Sequence, residues 1–178
     1  KTSMLAIGPA EFKIEAFVQD SAENGTADNI DRESAPSNIS LSLKNGKFMF
    51  SLAQRLGSSK FTVKFPNAES EIHSGIAIAE TGSNGSRLIP FDGFARIKPQ
   101  NSIWEIVKDG VSAVVPTKES DKKIIFKHVY SRERERFGNF IKTAEQLRRS
   151  VFFKYSKDAG FIAELILPKA FFAMPIKH

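Results

Sequence analysis

The chain of 178 residues holds 26 lysine and arginine residues against 20 acidic ones, a net charge of +6, and 41% of its residues are hydrophobic. This length and apolar content suffice for a buried core, and we expect a single domain over residues 1–178. The lack of cysteine excludes disulfides, thiolate nucleophiles and cysteine-ligated zinc. The histidines His73, His128 and His178 lack metal-site spacing, and no apolar run approaches the roughly 20 residues of a membrane-spanning helix.

The N-terminal part predicts a strand followed by a loop. Apolar and charged residues alternate in "EFKIEAFVQD", which places Phe12, Ile14 and Ala16 on one face of a strand. Residues 20–38 almost lack large apolar side chains and are predicted to form a long exposed loop. Because the chain begins at Lys1 rather than methionine, we also expect that a presequence or propeptide has been removed.

Two short motifs predict antiparallel hairpins. Asn45-Gly46 in "ISLSLKNGKFMFSL" and Asp109-Gly110 in "SIWEIVKDGVSAVV" each separate two runs of strand character. Both pairs are typical of type I′ turns, whose central residues need positive φ. A looser motif at residues 158–160 predicts a third hairpin. The repeated unit indicates two related halves, residues 1–100 and 101–178.

The phenylalanines of these strands are predicted to fill the core, since an alternating Phe is more often buried than a base-stacking platform. We assign Phe48 and Phe50 to the core, together with Phe61 and Phe65 of the alternating run "KFTVKF". The glycine-rich "TGSNGSR" lacks the Lys-Ser/Thr of a phosphate-binding loop and is predicted to be a surface turn.

The excess positive charge is local. Residues 1–100 hold eleven basic and eleven acidic residues, whereas residues 101–178 hold fifteen and nine, so the second half carries the whole +6. Such asymmetry is expected of a face that binds a polyanion, although it also fits a basic, well-solvated surface.

The stretch "YSRERERF" alternates three arginines with two glutamates, and three conformations stay open. As a continuation of the strand "KKIIFKHVY", it would place Arg132, Arg134 and Arg136 in one row with His128 and Tyr130. As the first turn of a helix, it would mix both charges on one surface, with its glutamates favouring the helix dipole. A loop is the third alternative. We favour the strand, because its same-face repeat of about 6.6 Å matches the roughly 6–7 Å between phosphates of an extended single strand.

Apolar residues that recur at helical spacing predict a helix over residues 138–150. Phe137 and Ala144 belong to its apolar face, and Arg148 lies opposite. A second helix is predicted to begin near Pro168 in "LPKAFFAM". These elements predict an α+β fold, in which antiparallel hairpins and sheets pack with one strong amphipathic helix and a C-terminal helix.

The candidate nucleic-acid-binding residues supply phosphate contacts or, for the two tyrosines, stacking surfaces. They cannot all share one face, so some must be bystanders. They are Lys122, Lys123, Lys127, Tyr130, Arg132, Arg134, Arg136, Lys142, Arg148, Arg149, Lys154, Tyr155 and Lys157.

A catalytic function finds no support in the sequence. No serine lies in a G-x-S-x-G motif, and paired carboxylates such as Glu69 and Glu71 are expected to be solvated and ionised. We therefore expect no enzyme, no catalytic residue, no metal and no cofactor.

The order of a first strand, a long polar loop, "LSLKNGKFMFSLA" and a final strand running into "LILPKAFFAM" resembles the Whirly family, which includes the trypanosomatid mitochondrial guide-RNA-binding proteins. The resemblance covers about a quarter of the chain, and the basic-glycine motif of the plant members' first strand is missing. It implies two four-stranded sheets packed against helices, a tetramer, and binding of single strands across the sheets. The trypanosomatid branch further implies a mitochondrial location and a role in RNA annealing during editing.

The charge pattern and the resemblance together predict a non-enzymatic protein that binds single-stranded RNA or DNA through a basic sheet face and forms a homo- or hetero-oligomer away from membranes. The alternative is a β-rich assembly protein whose basic face pairs with an acidic protein partner.

Overall fold

The computed structural model describes residues 2–19, 35–117, 123–156 and 160–165, and for residues 151–156 and 160–165 it describes the backbone alone. These ranges contain thirteen strands and one helix. Their bounds are β1 Thr2–Ala6, β2 Glu11–Gln19, β3 Ser37–Leu52, β4 Lys60–Lys64, β5 Ala68–Ile72, β6 Gly75–Gly82, β7 Gly85–Asp92, β8 Phe94–Pro99, β9 Glu105–Lys108, β10 Val111–Pro116, β11 Ile125–His128, α1 Ser131–Arg149, β12 Val151–Ser156 and β13 Gly160–Leu165.

The first eleven strands form one sheet, built on the long strand β3. The first part of β3 pairs with β2 and, in parallel, with β4, whereas its second part pairs with β1 and β6. The sheet order is β11-β10-β7-β6-β3-β4-β5-β8-β9. We call β1, the second part of β3, β6, β7, β10 and β11 the helix-side layer. We call β2, the first part of β3, β4, β5, β8 and β9 the distal layer.

The hairpin predicted at Asn45-Gly46 is wrong, because β3 runs through both residues without reversing. Gly46 has a φ of 103°, whereas Asn45 does not have the positive φ that a type I′ turn requires. A Cβ atom on Gly46 would lie 2.5 Å from the Cβ of Ala10. Glycine at this position therefore allows β3 to cross from the distal layer to the helix-side layer while Ala10 packs closely against it.

The hairpin predicted at Asp109-Gly110 is also wrong. The turn is present and Gly110 has a φ of 75°, but β9 pairs with β8 while β10 pairs with β7 and β11. The chain thus crosses here from the distal layer to the helix-side layer. The third predicted hairpin is confirmed in β12 and β13, which pair with each other from Val151 and Leu165 to Ser156 and Gly160.

The core lies inside the curl of the sheet, where both layers contribute side chains. All four phenylalanines assigned to the core from the sequence, Phe48, Phe50, Phe61 and Phe65, are buried, which confirms that prediction. Phe50 of the helix-side layer meets Phe61 of the distal layer edge-to-face, with ring centroids 5.2 Å apart. Because these rings fill the concave side, its apolar residues act as a packed core.

The predicted α+β class, with its Whirly-like layout of two sheets packed against helices, is wrong. The described residues fold mostly as strands of one sheet curled into a half-barrel, with a single helix.

The predicted loop over residues 20–38 ends earlier than expected, because Ala35 is buried and β3 begins at Ser37. Residues 20–34 and the helix predicted near Pro168 lie outside the described residues.

The strand favoured for "SRERERF" is wrong, and the helical alternative is correct. Helix α1 begins at Ser131, seven residues before the predicted start, and Tyr130 precedes it in an extended conformation. Glu133 lies in the first turn, where its charge favours the positive end of the helix dipole.

Candidate polyanion-binding face

Helix α1 packs its apolar side onto the convex face of the helix-side layer. Phe137 and Ala144 are buried against Met49, Ile78 and Phe91 from β3, β6 and β7. The Phe91 and Phe137 rings lie 5.9 Å apart. This packing fixes which side of the helix faces outward.

Three charged side chains of α1 bind the sheet beneath it. Glu133 accepts two hydrogen bonds from the Arg87 guanidinium, at 2.7 and 3.1 Å. Arg134 donates to the carbonyl oxygen of Phe91 at 2.8 Å. Arg148, only 7% exposed, donates from Nε to the Ser51 hydroxyl at 3.1 Å. These groups hold the helix in place.

The opposite side of α1 is basic. Arg132, Arg136, Lys142 and Arg149 are exposed and form no ion pair with any other described residue. At 100° per residue, these four positions lie away from the buried Phe137 side, with Glu135 as the one exposed acid of the helix. We call these four residues the basic face.

Two further predicted residues adjoin the start of the helix. Lys127 is exposed in β11 opposite Ser112, and the register places it on the same side of the sheet as α1. Tyr130, 77% exposed, precedes the first turn and makes no side-chain capping bond. A cation and an aromatic ring therefore extend the basic face at the helix N-terminus.

The structure separates the other predicted site residues. A helix turns 100° per residue, so Arg134, two residues from both Arg132 and Arg136, lies on the opposite side of α1 and binds the sheet. The predicted single row of arginines is therefore wrong. The prediction that Arg148 faces solvent is wrong as well, because its guanidinium is buried on Ser51. Lys123 is exposed, and Lys154 and Tyr155 belong to β12, where only the backbone is described. Lys122 and Lys157 lie outside the described residues.

A second charged surface, on the convex face of the distal layer, was not predicted from the sequence. Arg96 pairs with Glu71 at 2.6 Å and Lys98 with Glu69 at 3.0 Å. Both cations also lie over the Trp104 ring, 4.7 and 4.6 Å from its centre. In the sequence, acidic residues alternate in β5 and basic residues alternate in β8, but the sequence does not indicate that these two strands pair. These four charges pair with one another and together add no net charge to this surface.

At one end of that surface, His73 stacks on Phe94 with ring centroids 4.6 Å apart. Burial lowers the pKa of His73 below its usual value of 6.5, and Arg96 and Arg55 lower it further while Glu71 opposes them. Because the folded pKa is the lower one, the unfolded chain binds more protons between that pKa and about 6.5. The stabilisation from neutral His73 is therefore complete above about pH 6.5 and is lost as the pH falls toward the folded pKa.

We expect the free energy of unfolding of His73→Gln to fall less than that of the wild type as the pH drops below about 6.5. Urea unfolding at pH values above and below 6.5 measures the effect. His128→Gln, which removes an exposed histidine of β11, is the matched control for the loss of an imidazole. Equal slopes in the wild type and His73→Gln would contradict the assignment.

A cleft of about 260 Å³ beside the C-terminal half of α1 is lined by Ser51, Gly75, Asp92, Glu145 and Arg148 among others, but Arg148 already donates to Ser51. Within the described ranges, no group of three or more metal-ligating side chains could hold an ion. No helix among those residues is both long and apolar enough to cross a membrane.

Comparison with known proteins adds little to this geometry. No family model matches the chain, and no curated protein matches it. Two crystal structures of "a putative anti-sigma factor" from Parabacteroides distasonis are similar, with TM-scores of 0.48 and 0.45 at 10% and 11% identity. They cover 77% and 75% of this chain, which spans 64% and 63% of theirs, just under two thirds. Likeness at this level supports no conclusion about what the chain binds.

Proposed function

We propose that the protein is a non-enzymatic binding protein for single-stranded RNA or DNA, and that it holds the phosphate backbone on the basic face of α1. The observation that carries the proposal is that Arg132, Arg136, Lys142 and Arg149 point outward together without ion-pair partners among the described residues. They also lie in the half of the chain that carries the whole net charge of +6.

The helix provides a spacing suited to a nucleic-acid backbone. With a rise of about 1.5 Å per residue, Arg132 and Arg136 stand roughly 6 Å apart along the axis, close to the separation of successive phosphates in an extended strand. Arginine binds phosphate through two parallel hydrogen bonds, whereas lysine offers a point charge. Tyr130 adds a ring for base stacking, an interaction worth about 1–3 kcal/mol per base.

The test compares two variants that each lose three positive charges. Arg132, Arg136 and Arg149 are replaced by glutamine in one variant, and the exposed lysines of the distal layer are replaced in the other. Those lysines are Lys60, Lys64 and Lys108. Fluorescence anisotropy with a labelled 20-nucleotide single-stranded RNA, repeated across salt concentrations, measures the affinity and its salt dependence.

We expect the affinity of the wild type for the RNA to fall steeply as the salt concentration rises. Each neutralised phosphate of a single strand adds about 0.7 to the slope of log affinity against log salt concentration. Loss of three contacts should lower that slope by about 2 and weaken binding by at least about tenfold, whereas the lysine variant should stay near wild type. Equal weakening of both variants, or binding insensitive to salt, would refute the proposed site.

A second candidate function keeps the same face but gives it an acidic protein partner. Phe140, 37% exposed, lies one turn after Arg136, and exposed aromatic rings beside arginines are enriched at protein interfaces. Nucleic acid that copurifies with the protein favours the first function, and a nuclease-resistant assembly favours the second. The mitochondrial location and the part in RNA annealing stay predictions of the Whirly resemblance.

A further inference from the structure

Strand β2 leaves one edge without a described partner strand. It is nine residues long and pairs only with β3. Ile14 and Phe17 are 57% and 69% exposed, and Phe12 and Val18 are exposed as well. A long edge strand that exposes apolar side chains is a template for pairing with another strand, because its outer edge presents a row of backbone N–H and C=O groups.

The apolar side of β2 continues the core. Phe12, Ile14 and Phe17 pair with Leu43, Leu41 and Ile39 of β3, and all three of those partners are buried core residues. A bulge between Ile14 and Ala16 brings Phe17 onto the side of Ile14, which strict alternation would not. The Phe12 ring packs edge-to-face on the core ring of Phe48 at 5.4 Å. The core therefore reaches the sheet edge and ends there in an exposed row.

The other side of β2 carries opposite charges in symmetric order. Lys13 and Glu15 flank Ile14 and form an ion pair at 3.3 Å. At the start of the strand, Glu11 pairs with Lys44 of β3 at 2.6 Å, and this hydrogen-bonded carboxylate raises the pKa of Lys44 above its usual value. These two ion pairs leave this side without net charge. The residue before Ile14, Lys13, is positive, and the residue after it, Glu15, is negative.

We propose that a second copy of this chain pairs antiparallel along β2, with a two-fold axis through Ile14. Lys13 then lies opposite the partner's Glu15, and Glu15 lies opposite the partner's Lys13. On the core side, the bulge sets Phe12 opposite the partner's Phe17, and Ile14 meets its own copy. One rotation thus matches the charges on one side and doubles the apolar row on the other.

A second copy fits this edge better than an arbitrary strand, because the edge is complementary to itself. A two-fold contact uses the same patch on both subunits and closes, so no β2 edge remains for further growth. The apolar row supplies the affinity and the exposed charges set the register, since exposed ion pairs contribute little on their own. The dimer involves none of the basic-face residues, so this inference stands or falls independently of nucleic-acid binding.

Sedimentation equilibrium from micromolar to millimolar concentration tests the dimer. The wild type should approach twice the 19.8 kDa of one chain. Ile14→Lys, which places two ammonium groups at the axis, should weaken association by at least about a hundredfold. Circular dichroism should show that Ile14→Lys folds, because that side chain is more than half exposed. Ile106→Lys, at a similarly exposed position on the edge strand β9, is the matched control and should remain dimeric.

A cross-linking experiment tests the register. The chain has no cysteine, so a single introduced thiol can link only to its own copy. Directly opposite residues of antiparallel strands have Cβ atoms about 4.5–5.5 Å apart, so Ile14→Cys should oxidise to a disulfide-linked dimer. Val18→Cys should not, because its copies would lie roughly 20 Å apart.

Three results would overturn the inference. They are a wild type that is monomeric over the whole range, an Ile14→Lys variant that dimerises like the wild type, and a dimer in which Val18→Cys cross-links while Ile14→Cys does not. A monomeric wild type would leave the row to a different protein partner. The other two results would place the dimer contact elsewhere or in another register.

Discussion

Replacing Phe137 with alanine should destabilise the protein by about 3–5 kcal/mol, the usual cost of deleting a buried phenylalanine side chain. The ring is only 4% exposed and lies between α1 and the sheet, in contact with Phe91 and beneath the Lys47 ammonium group, 5.4 Å from the ring centre. Its removal would leave a cavity where the helix is anchored. Urea unfolding followed by circular dichroism measures the change in the free energy of unfolding.

Phe140→Ala provides the control, because it makes the same substitution one turn later on the same helix. The Phe140 ring is 37% exposed, so its loss should cost about 1–2 kcal/mol. Similar losses for the two variants would show that Phe137 does not anchor the helix. The apolar contact of Phe137 would then contribute no more to the free energy of unfolding than a partly exposed residue does. That contact would no longer account for the orientation of the basic face.

Strand character was predictable wherever residues alternate over a buried surface. The alternation in "KFTVKF" directed Phe61 and Phe65 to the core, as the structure confirms. The partners of each strand were not predictable. Asn45-Gly46 carries a strong local turn signal, but β3 has different neighbours on either side of it, and those neighbours come from distant parts of the chain. A local rule could therefore recognise the positive φ of Gly46 and still predict a turn where the strand continues.

The arginine row failed for a related reason. Alternating charges fit an exposed strand and the first turn of a helix equally well, because neither conformation buries them. The choice depends on Arg87, which lies 46 residues before Glu133 and binds it through two hydrogen bonds. It also depends on Phe91, whose ring packs on Phe137 and whose carbonyl oxygen binds Arg134. The sequence located the basic segment, whereas the fold of distant strands decided which of its cations face outward.

Gly85→Ala should be among the most destabilising small substitutions in the sheet, at about 2–4 kcal/mol. Gly85 begins β7 and has a φ of 122°, a region that is essentially restricted to glycine. A Cβ atom there would overlap the carbonyl oxygen of Val115 and lie 2.9 Å from the Cα of Pro116, both in β10. The cost therefore combines backbone strain with separation of two paired strands, and urea unfolding measures it.

Gly82→Ala, at the other end of the same turn, separates these effects from a general loss of glycine. Gly82 pairs with Gly85 across the turn, but it has no positive φ and a Cβ atom would meet nothing within 4 Å. Its replacement should change the stability by less than about 1 kcal/mol, and a gain is expected if the unfolded chain loses freedom. Equal effects at the two glycines would mean that β10 does not approach β7 at Pro116. Unequal effects in the expected order would show that the glycines of "TGSNGSR" differ in role, with Gly85 allowing the close approach of a third strand.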